Sequence, residues 1–276
     1  MEPVVARKMW RTLEPYHGLI YFAPEASEAY EALGVMGFDG YFASRAAPMG
    51  AVPAEVVVAT FFNFNPAIVH HAIPAAWEVV TPAALIEARS NAARASLWRA
   101  AGDLLDDPTV VRAGALARTA AEACSAEGRP LYAGHASLPW PDEPVLVLWH
   151  AITLLREFRG DGHVACLLDA ELEGIDALVL HAASGDVSRR ILQTSRQWDD
   201  AAWDASVARL ADRGIVDGDG AFTDAGAQLR QRLEDRTDVL ALRPWAALGE
   251  DGCDELRRLV RPLSKAIVAS GTLGFR

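Results

Sequence analysis

The sequence predicts a mainly α-helical chain: an N-terminal helical domain, then a second domain of helices that carries one short β-hairpin. Three observations lead there. Apolar residues recur at helical spacing over most of the chain, with proline near the start of the runs and glycine at their ends. The stretch "GRPLYAGHASLPWPDEP" (128–144) interrupts that pattern and reads as a boundary. Further on, "RGIVDGDGAFTDAG" (213–226) has the layout of strand, tight turn, strand and helix cap.

In order, "PVVARKMWRTLE" begins with Pro3 and is expected to stop before Pro15, and "PEASEAYEALG" runs from Pro24 to a glycine that can take positive φ. "GFDGYFASRAAPMG" is a short helix and turn. "PAEVVVATFFNFNPAIVHHAIP" could be a buried strand by composition; its length and Pro53 favour a buried helix broken near Pro66. Two Ala-rich helices follow, "TPAALIEARSNAARASLWRAAG", with Thr81 as N-cap, and "PTVVRAGALARTAAEACSAEG". Beyond the boundary the pattern gives helices at 145–159, 163–172, 174–184, 188–196 and 199–213, the hairpin, and a helix from about Asp224 to Ala241. The expected organisation is a helical domain at 1–128, a linker at 129–144, a second domain at 145–249 and a C-terminal amphipathic helix at 250–276.

A chain of 276 residues with 51% hydrophobic and 23% charged side chains can bury a substantial core. It has no apolar run long enough for a bilayer and no signal-peptide pattern in "MEPVVARKMW", so a cytoplasmic protein without a membrane partner is expected. The net charge is −11, and only residues 239–276 are basic, at +2. Cys124, Cys166 and Cys253 lie far apart without metal-type spacing and read as buried free thiols; no metal site is expected.

Residues "SRRILQTSRQ", "DAAWDASVARLADRGIV" and "TDAGAQLRQRLEDRTD", with the hairpin between the last two, resemble the winged-helix fold of the MarR class. More closely, "YFASRAAPMG", "ATFFNF", "LPWPDEP", "LWHAITLLREFRGDGH" and "RPWAALG" resemble an actinobacterial family of SalY-type helix-turn-helix proteins. The resemblance spans nearly the whole chain and implies a winged-helix (MarR-like) domain with a short β-hairpin wing. It does not imply an activity, because a winged helix also serves as a scaffold or dimerisation module.

The charges argue against DNA as the partner. On a helix from Asp199 to Arg213, Trp203, Val207 and Leu210 share one face and should pack inward. The outward face is then Ala201, Asp204, Ala205, Ala208, Arg209 and Asp212, and the wing adds Asp217, Asp219 and Asp224 without a cation. A DNA reader needs cations and amides there. Arg189, Arg190 and Arg196, on the preceding helix, are the residues a DNA-binding alternative would use.

No phosphate loop, dinucleotide fingerprint, HExxH, nucleophile elbow or paired-cysteine zinc pattern is present. Chemistry must therefore come from polar residues in apolar surroundings. His17 and Tyr21 share a face if their segment is helical. Arg45 is the only charge in "YFASRAAPMG", so its burial requires a carboxylate, Glu14 or Glu55, or an anionic ligand. Thr60, Asn63, Asn65 and His70 interrupt an apolar helix and either satisfy carbonyls freed at Pro66 or meet a ligand; His70 and His71 point apart, so one could face a cavity. Arg156, Arg159, Asp161 and His163 crowd a helix end, where capping and ion pairing compete with a functional reading, and His150 sits in an apolar helix expected to join the domains.

Together His17, Tyr21, Arg45, Asn63, His70 and His150 could line an apolar interdomain cavity, with Arg156, Arg159 and His163 at its edge. Such a cavity suits a flat, aromatic or polyketide-like molecule. His17, His150 and Tyr21 are the catalytic candidates, with a histidine as general base or as an axial haem ligand. The leading expectation is a small-molecule-binding protein or enzyme whose winged helix is a scaffold; the alternative is a ligand-responsive transcriptional regulator. The stripe Leu256, Leu259, Val260, Leu263 and Ile267 is expected to pack on the body or on a second subunit of a homodimer.

Overall fold

Proline opens six of the fifteen α-helices among the described residues. The computed structural model describes residues 1–106 and 108–274, and in it Pro24, Pro66, Pro82, Pro108, Pro130 and Pro144 each open a helix, where a missing N–H costs nothing. The helices are α1 (Val4–Gly18), α2 (Pro24–Glu31), α3 (Gly37–Ala46), α4 (Ala54–Phe61), α5 (Pro66–Ala72), α6 (Ala75–Val79), α7 (Pro82–Ala101), α8 (Pro108–Glu122), α9 (Pro130–Ala136), α10 (Pro144–Asp169), α11 (Gly174–Ala183), α12 (Arg189–Arg196), α13 (Asp200–Asp212), α14 (Asp224–Leu240) and α15 (Arg243–Ala269). The chain is thus mainly helical. None of the described helices is long and apolar enough to cross a membrane.

Local chemistry explains several boundaries. Thr81 caps α7 by accepting from Ala84 N, and Asn65 caps α5 by accepting from Ala67 N. Asp199 and Thr223 cap α13 and α14 in the same way. The break before Pro66 falls where the sequence puts it, between α4 and α5.

Four local expectations are corrected. Helix α1 runs through Pro15 to Gly18, because Tyr16, His17 and Gly18 are all buried and their packing outweighs the lost hydrogen bond. Residues 145–172 do not form two helices about a turn at "RGDG": α10 is continuous to Asp169, and Gly160 and Gly162 lie inside it. An interior glycine costs only about 1 kcal/mol against alanine, and Gly162 has a packing reason, since a Cβ there would collide with the Arg129 guanidinium. The expected linker holds α9, whose Leu131 and Tyr132 are buried. Finally, the two expected strands of the hairpin reduce to one antiparallel bridge, Val216 to Phe222, closed by a turn in which Asp217 Oδ1 accepts from Asp219 N and Ala221 N.

The apolar side chains form two cores. The first takes in α1 to α9, the beginning of α10 as far as Phe158, and α15; the second takes in Cys166 and Leu167 at the end of α10 together with α11 to α14. Leu256, Val260, Leu263 and Ile267 of α15 are buried, and that helix packs on α1, α7 and α8 of its own chain. Cys166 and Cys253 are buried, Cys124 half-buried, and all three are free thiols. Between the cores, the middle turns of α10 carry Glu157, Arg159, Asp161 and His163. Those turns form the floor of the site.

A candidate ligand cleft between the two cores

A cleft of about 340 Å³ opens where the cores meet. One wall comes from α3 and the end of α4, with Tyr41, Arg45, Phe61, Phe62 and Phe64; the other comes from the second core, with Leu178, His181, Arg196, Arg230 and Glu234. Arg156, Glu157, Arg159, Asp161 and His163 of α10 lie between them. The volume is at the small end of the range for ligand pockets.

The aromatic wall is held by an unusual backbone. Phe62 ends α4 at φ 47° and ψ −54°, a conformation that a non-glycine residue adopts only under constraint. The constraint is a latch to the second core. Asn65 N donates to Arg196 O at 3.0 Å, Asn65 Nδ2 to Gln197 O at 2.8 Å, and Trp198 Nε1 to Asn63 O at 2.9 Å. Gly174 lies directly under the loop: a Cβ there would stand 2.0 Å from Phe62 O.

The polar wall is a network of buried ions. Glu157 is 2% exposed; its Oε2 accepts from Arg156 Nη1 at 2.8 Å, and its Oε1 is 3.5 Å from Arg45 Nη2. Burial alone would raise its pKa, but Arg156 and Arg45 outweigh burial and hold it well below the usual carboxylate range. Arg45 thus pairs with neither Glu14 nor Glu55. Its Nη1 donates to Tyr41 Oη at 2.7 Å, and its guanidinium stacks 4.3 Å from the centre of the Phe61 ring. Tyr41 is correspondingly shifted: burial raises its pKa, but Arg45, Arg196 and Arg156 together bring it below the usual phenol value.

Arg159 donates to Asp238 at 2.8 Å and lies 3.4 Å from Glu234, which also takes Arg230 at 3.0 Å. His163 Nδ1 is 2.9 Å from Thr237 Oγ1, and burial pushes its pKa down to about 4. Asp161 accepts from Tyr132 N at 2.9 Å and burial lifts its pKa to about 6.

Of the residues singled out from sequence, Arg45, Thr60, Asn63, Arg156, Arg159, Asp161, His163 and Arg196 meet in this cleft. Others lie elsewhere. His17 and Tyr21 form a pair inside the first core, with His17 Nε2 2.8 Å from Tyr21 Oη and Nδ1 2.9 Å from Thr153 Oγ1. Thr153 spends its hydrogen on Trp149 O, so His17 carries its proton on Nδ1 and accepts from Tyr21, which in turn accepts from Arg89. With both ring nitrogens engaged, His17 does not fit an axial haem ligand. His150 lies against the Trp140 ring at 4.8 Å, its pKa pushed down to about 4 by burial. His70 and His71 are both exposed because Val69 and Ala72 take the inward positions, so neither reaches the cleft.

Sequence reasoning missed Glu157, Tyr41, Glu234 and Arg89. Glu157 is the lone acid in "LWHAITLLREF", and Tyr41 precedes Arg45 by four residues on one helix; those spacings were the available signals.

The face of α13 is as its spacing predicts: Trp203 and Leu210 are buried, Val207 half-buried, and Ala201, Asp204, Ala205, Ala208, Arg209 and Asp212 exposed. The cations at this surface, Arg189 of α12 and Arg209 of α13, are paired. Arg189 meets Asp200 at 2.8 Å and Asp204 at 2.9 Å, and Arg209 meets Asp176 at 2.7 Å and Glu173 at 3.0 Å. Arg190 is exposed, while Arg196 is turned toward Phe64 in the cleft.

No curated protein and no solved structure matches the chain. The model of a helix-turn-helix family matches residues 6–274, across both cores, and the chain therefore belongs to that family.

Proposed function

We propose that this protein binds a small, largely apolar molecule in the cleft, with residues 174–240 acting as a degenerate winged helix that serves as scaffold. The observation that carries the reading is the cleft itself, in which a strained aromatic loop from one core is latched onto helices of the other. A flat molecule entering there would lie against Phe61, Phe62 and Phe64 and meet polar groups from α10. The acidic, internally paired surface of α13 supports the scaffold role.

The test is mass spectrometry of the purified chain under native and denaturing conditions. A small molecule released on denaturation, and lost from a Phe61→Ala, Phe64→Ala double variant, supports the reading. A ligand retained by that variant places the site elsewhere. The family membership and the exposed Arg190 favour a second reading, a ligand-responsive regulator that binds DNA. Salt-dependent retention on duplex DNA, lost in an Arg189→Ala, Arg190→Ala variant, would establish it over the scaffold role.

A further inference from the structure

We propose that the ligand of this cleft is an aromatic carboxylate and that Arg196 is the residue that binds its carboxylate group. The proposal rests on the cleft being a ligand site and specifies what enters it. Arg45 and Arg156 share Glu157, Arg156 also reaches Glu14 at 3.7 Å, and Arg159 and Arg230 share Glu234, with Asp238 as well on Arg159. Arg196 has no carboxylate within 4.0 Å among the described residues. Its contacts are Asn63 Oδ1 at 3.3 Å from Nε, Ser195 O at 3.3 Å from Nη1, and the Phe64 ring, 4.5 Å from the guanidinium.

The nearest charges make this worse. Burial disfavours the Arg196 cation, and Arg45 and Arg156 repel it, with only Tyr41 acting in its favour. On this side of the cleft Glu157 is taken by Arg45 and Arg156, and Glu14 by Arg156, so neither carboxylate is left for Arg196. Arginine keeps its charge at any physiological pH, so an anion entering beside Arg196 would relieve this repulsion.

Arg89 is a useful contrast. It too lacks a carboxylate, but it is 3% exposed, packed on Tyr21 and Trp149, and borders no part of the cleft. Arg196 is half-buried in the cleft wall, and Nη2 and one hydrogen of Nη1 have no acceptor among the described residues. That free edge is a fork that can donate to both oxygens of a carboxylate. The ring of the ligand follows from the neighbours. Phe61, Phe62, Phe64 and Tyr41 surround the same space, so a group attached to the carboxylate meets flat apolar faces.

The experiment compares 2-naphthoate with 2-naphthamide by titration calorimetry on the full chain at pH 7.5, in wild type, Arg196→Gln and Arg196→Lys. The two probes share a ring and differ in charge. The expected result is about tenfold or greater preference for naphthoate in wild type, abolished in Arg196→Gln and largely retained in Arg196→Lys, with naphthamide affinity unchanged throughout. Equal affinities in wild type, or a preference that survives Arg196→Gln, would overturn the anion assignment and leave the cleft as a site for neutral molecules. Binding of neither probe by wild type would overturn both. Unchanged thermal unfolding of Arg196→Lys separates a binding effect from loss of fold.

Discussion

The Arg189 guanidinium lies 2.9 Å from the Asp204 carboxylate, so the cation that opens α12 is matched by an acid on the outward face of α13. Both groups are largely exposed, and such a pair contributes little to stability. Its effect is on the surface potential. An arginine that could meet a phosphate is held by the helix that would have to approach it.

A charge-swap experiment follows. In Asp200→Asn, Asp204→Asn, Arg189 loses both partners, and retention on immobilised duplex DNA at low salt should rise above that of wild type. Wild type itself should be weakly retained. A wild-type affinity that falls roughly a thousandfold between 50 and 200 mM salt would mark several phosphate contacts and contradict this expectation.

Glu157→Gln should be severely destabilising. The substitution keeps the shape but leaves the buried Arg45 beside a neutral amide, while the half-buried Arg156 retains Glu14; breaking a buried pair in this way costs about 3 to 5 kcal/mol. Urea unfolding of wild type and variant measures the difference. A loss under about 1 kcal/mol would mean that water reaches these arginines.

Stability should fall as the solution is acidified from pH 6.5 toward 4. His135, His150 and His163 are driven down by burial to about 3, 4 and 4, so the unfolded chain takes up protons that the folded chain refuses. Their contribution is complete above about pH 6.5 and is lost on the way down. In His150→Leu the fall in unfolding free energy between pH 7 and pH 4.5 should be smaller by about 2 to 3 kcal/mol.

Asp161 acts in the opposite sense. Burial raises its pKa to about 6, so the folded chain binds a proton more tightly than the unfolded one between about pH 4 and 6, and this group removes stability as pH rises through that window. Asp161→Asn retains an acceptor for Tyr132 N. It should be more stable than wild type by about 2 to 3 kcal/mol at pH 7, with the gain vanishing near pH 4. A gain independent of pH would show that the effect is not ionisation.

Gly174→Ala tests the latch. A methyl group 2.0 Å from Phe62 O must displace the loop or α11, at a cost of about 1 to 3 kcal/mol, and it should weaken binding in the cleft as well. Chemical unfolding and calorimetry with 2-naphthoate read the two effects. Full stability with unchanged binding would show that the loop can move without consequence.

Much of the secondary structure was legible because it is local. Proline at helix starts, Thr81 as a cap, and the 3.6-residue stripe of Trp203, Val207 and Leu210 act within a few residues of themselves. The errors in α1 and α10 share a cause. Pro15 and the glycines at 160 and 162 are breakers by propensity, yet each stands in a helix whose neighbours are buried, and packing outweighs a cost of about 1 to 3 kcal/mol.

The site divides in the same way. That Arg45 needs an anion could be read from one short segment, because the charge stands alone among apolar residues. That the anion is Glu157, on a helix more than a hundred residues away, could not. Likewise His17, a catalytic candidate by its surroundings in sequence, proves to have both nitrogens engaged by Thr153 and Tyr21.

The sequence by itself determined many of the proline-marked helix starts, which face of α13 turns inward, and that the protein is acidic over most of its length. Only the tertiary structure decided that the cores part within α10, that Phe62 is held at positive φ, and that Arg196 faces the cleft with no carboxylate within 4.0 Å among the described residues. Those are relations between segments distant along the chain. They are set by which buried charges find partners once the helices have packed, and spacing along one strand of sequence carries no record of that pairing.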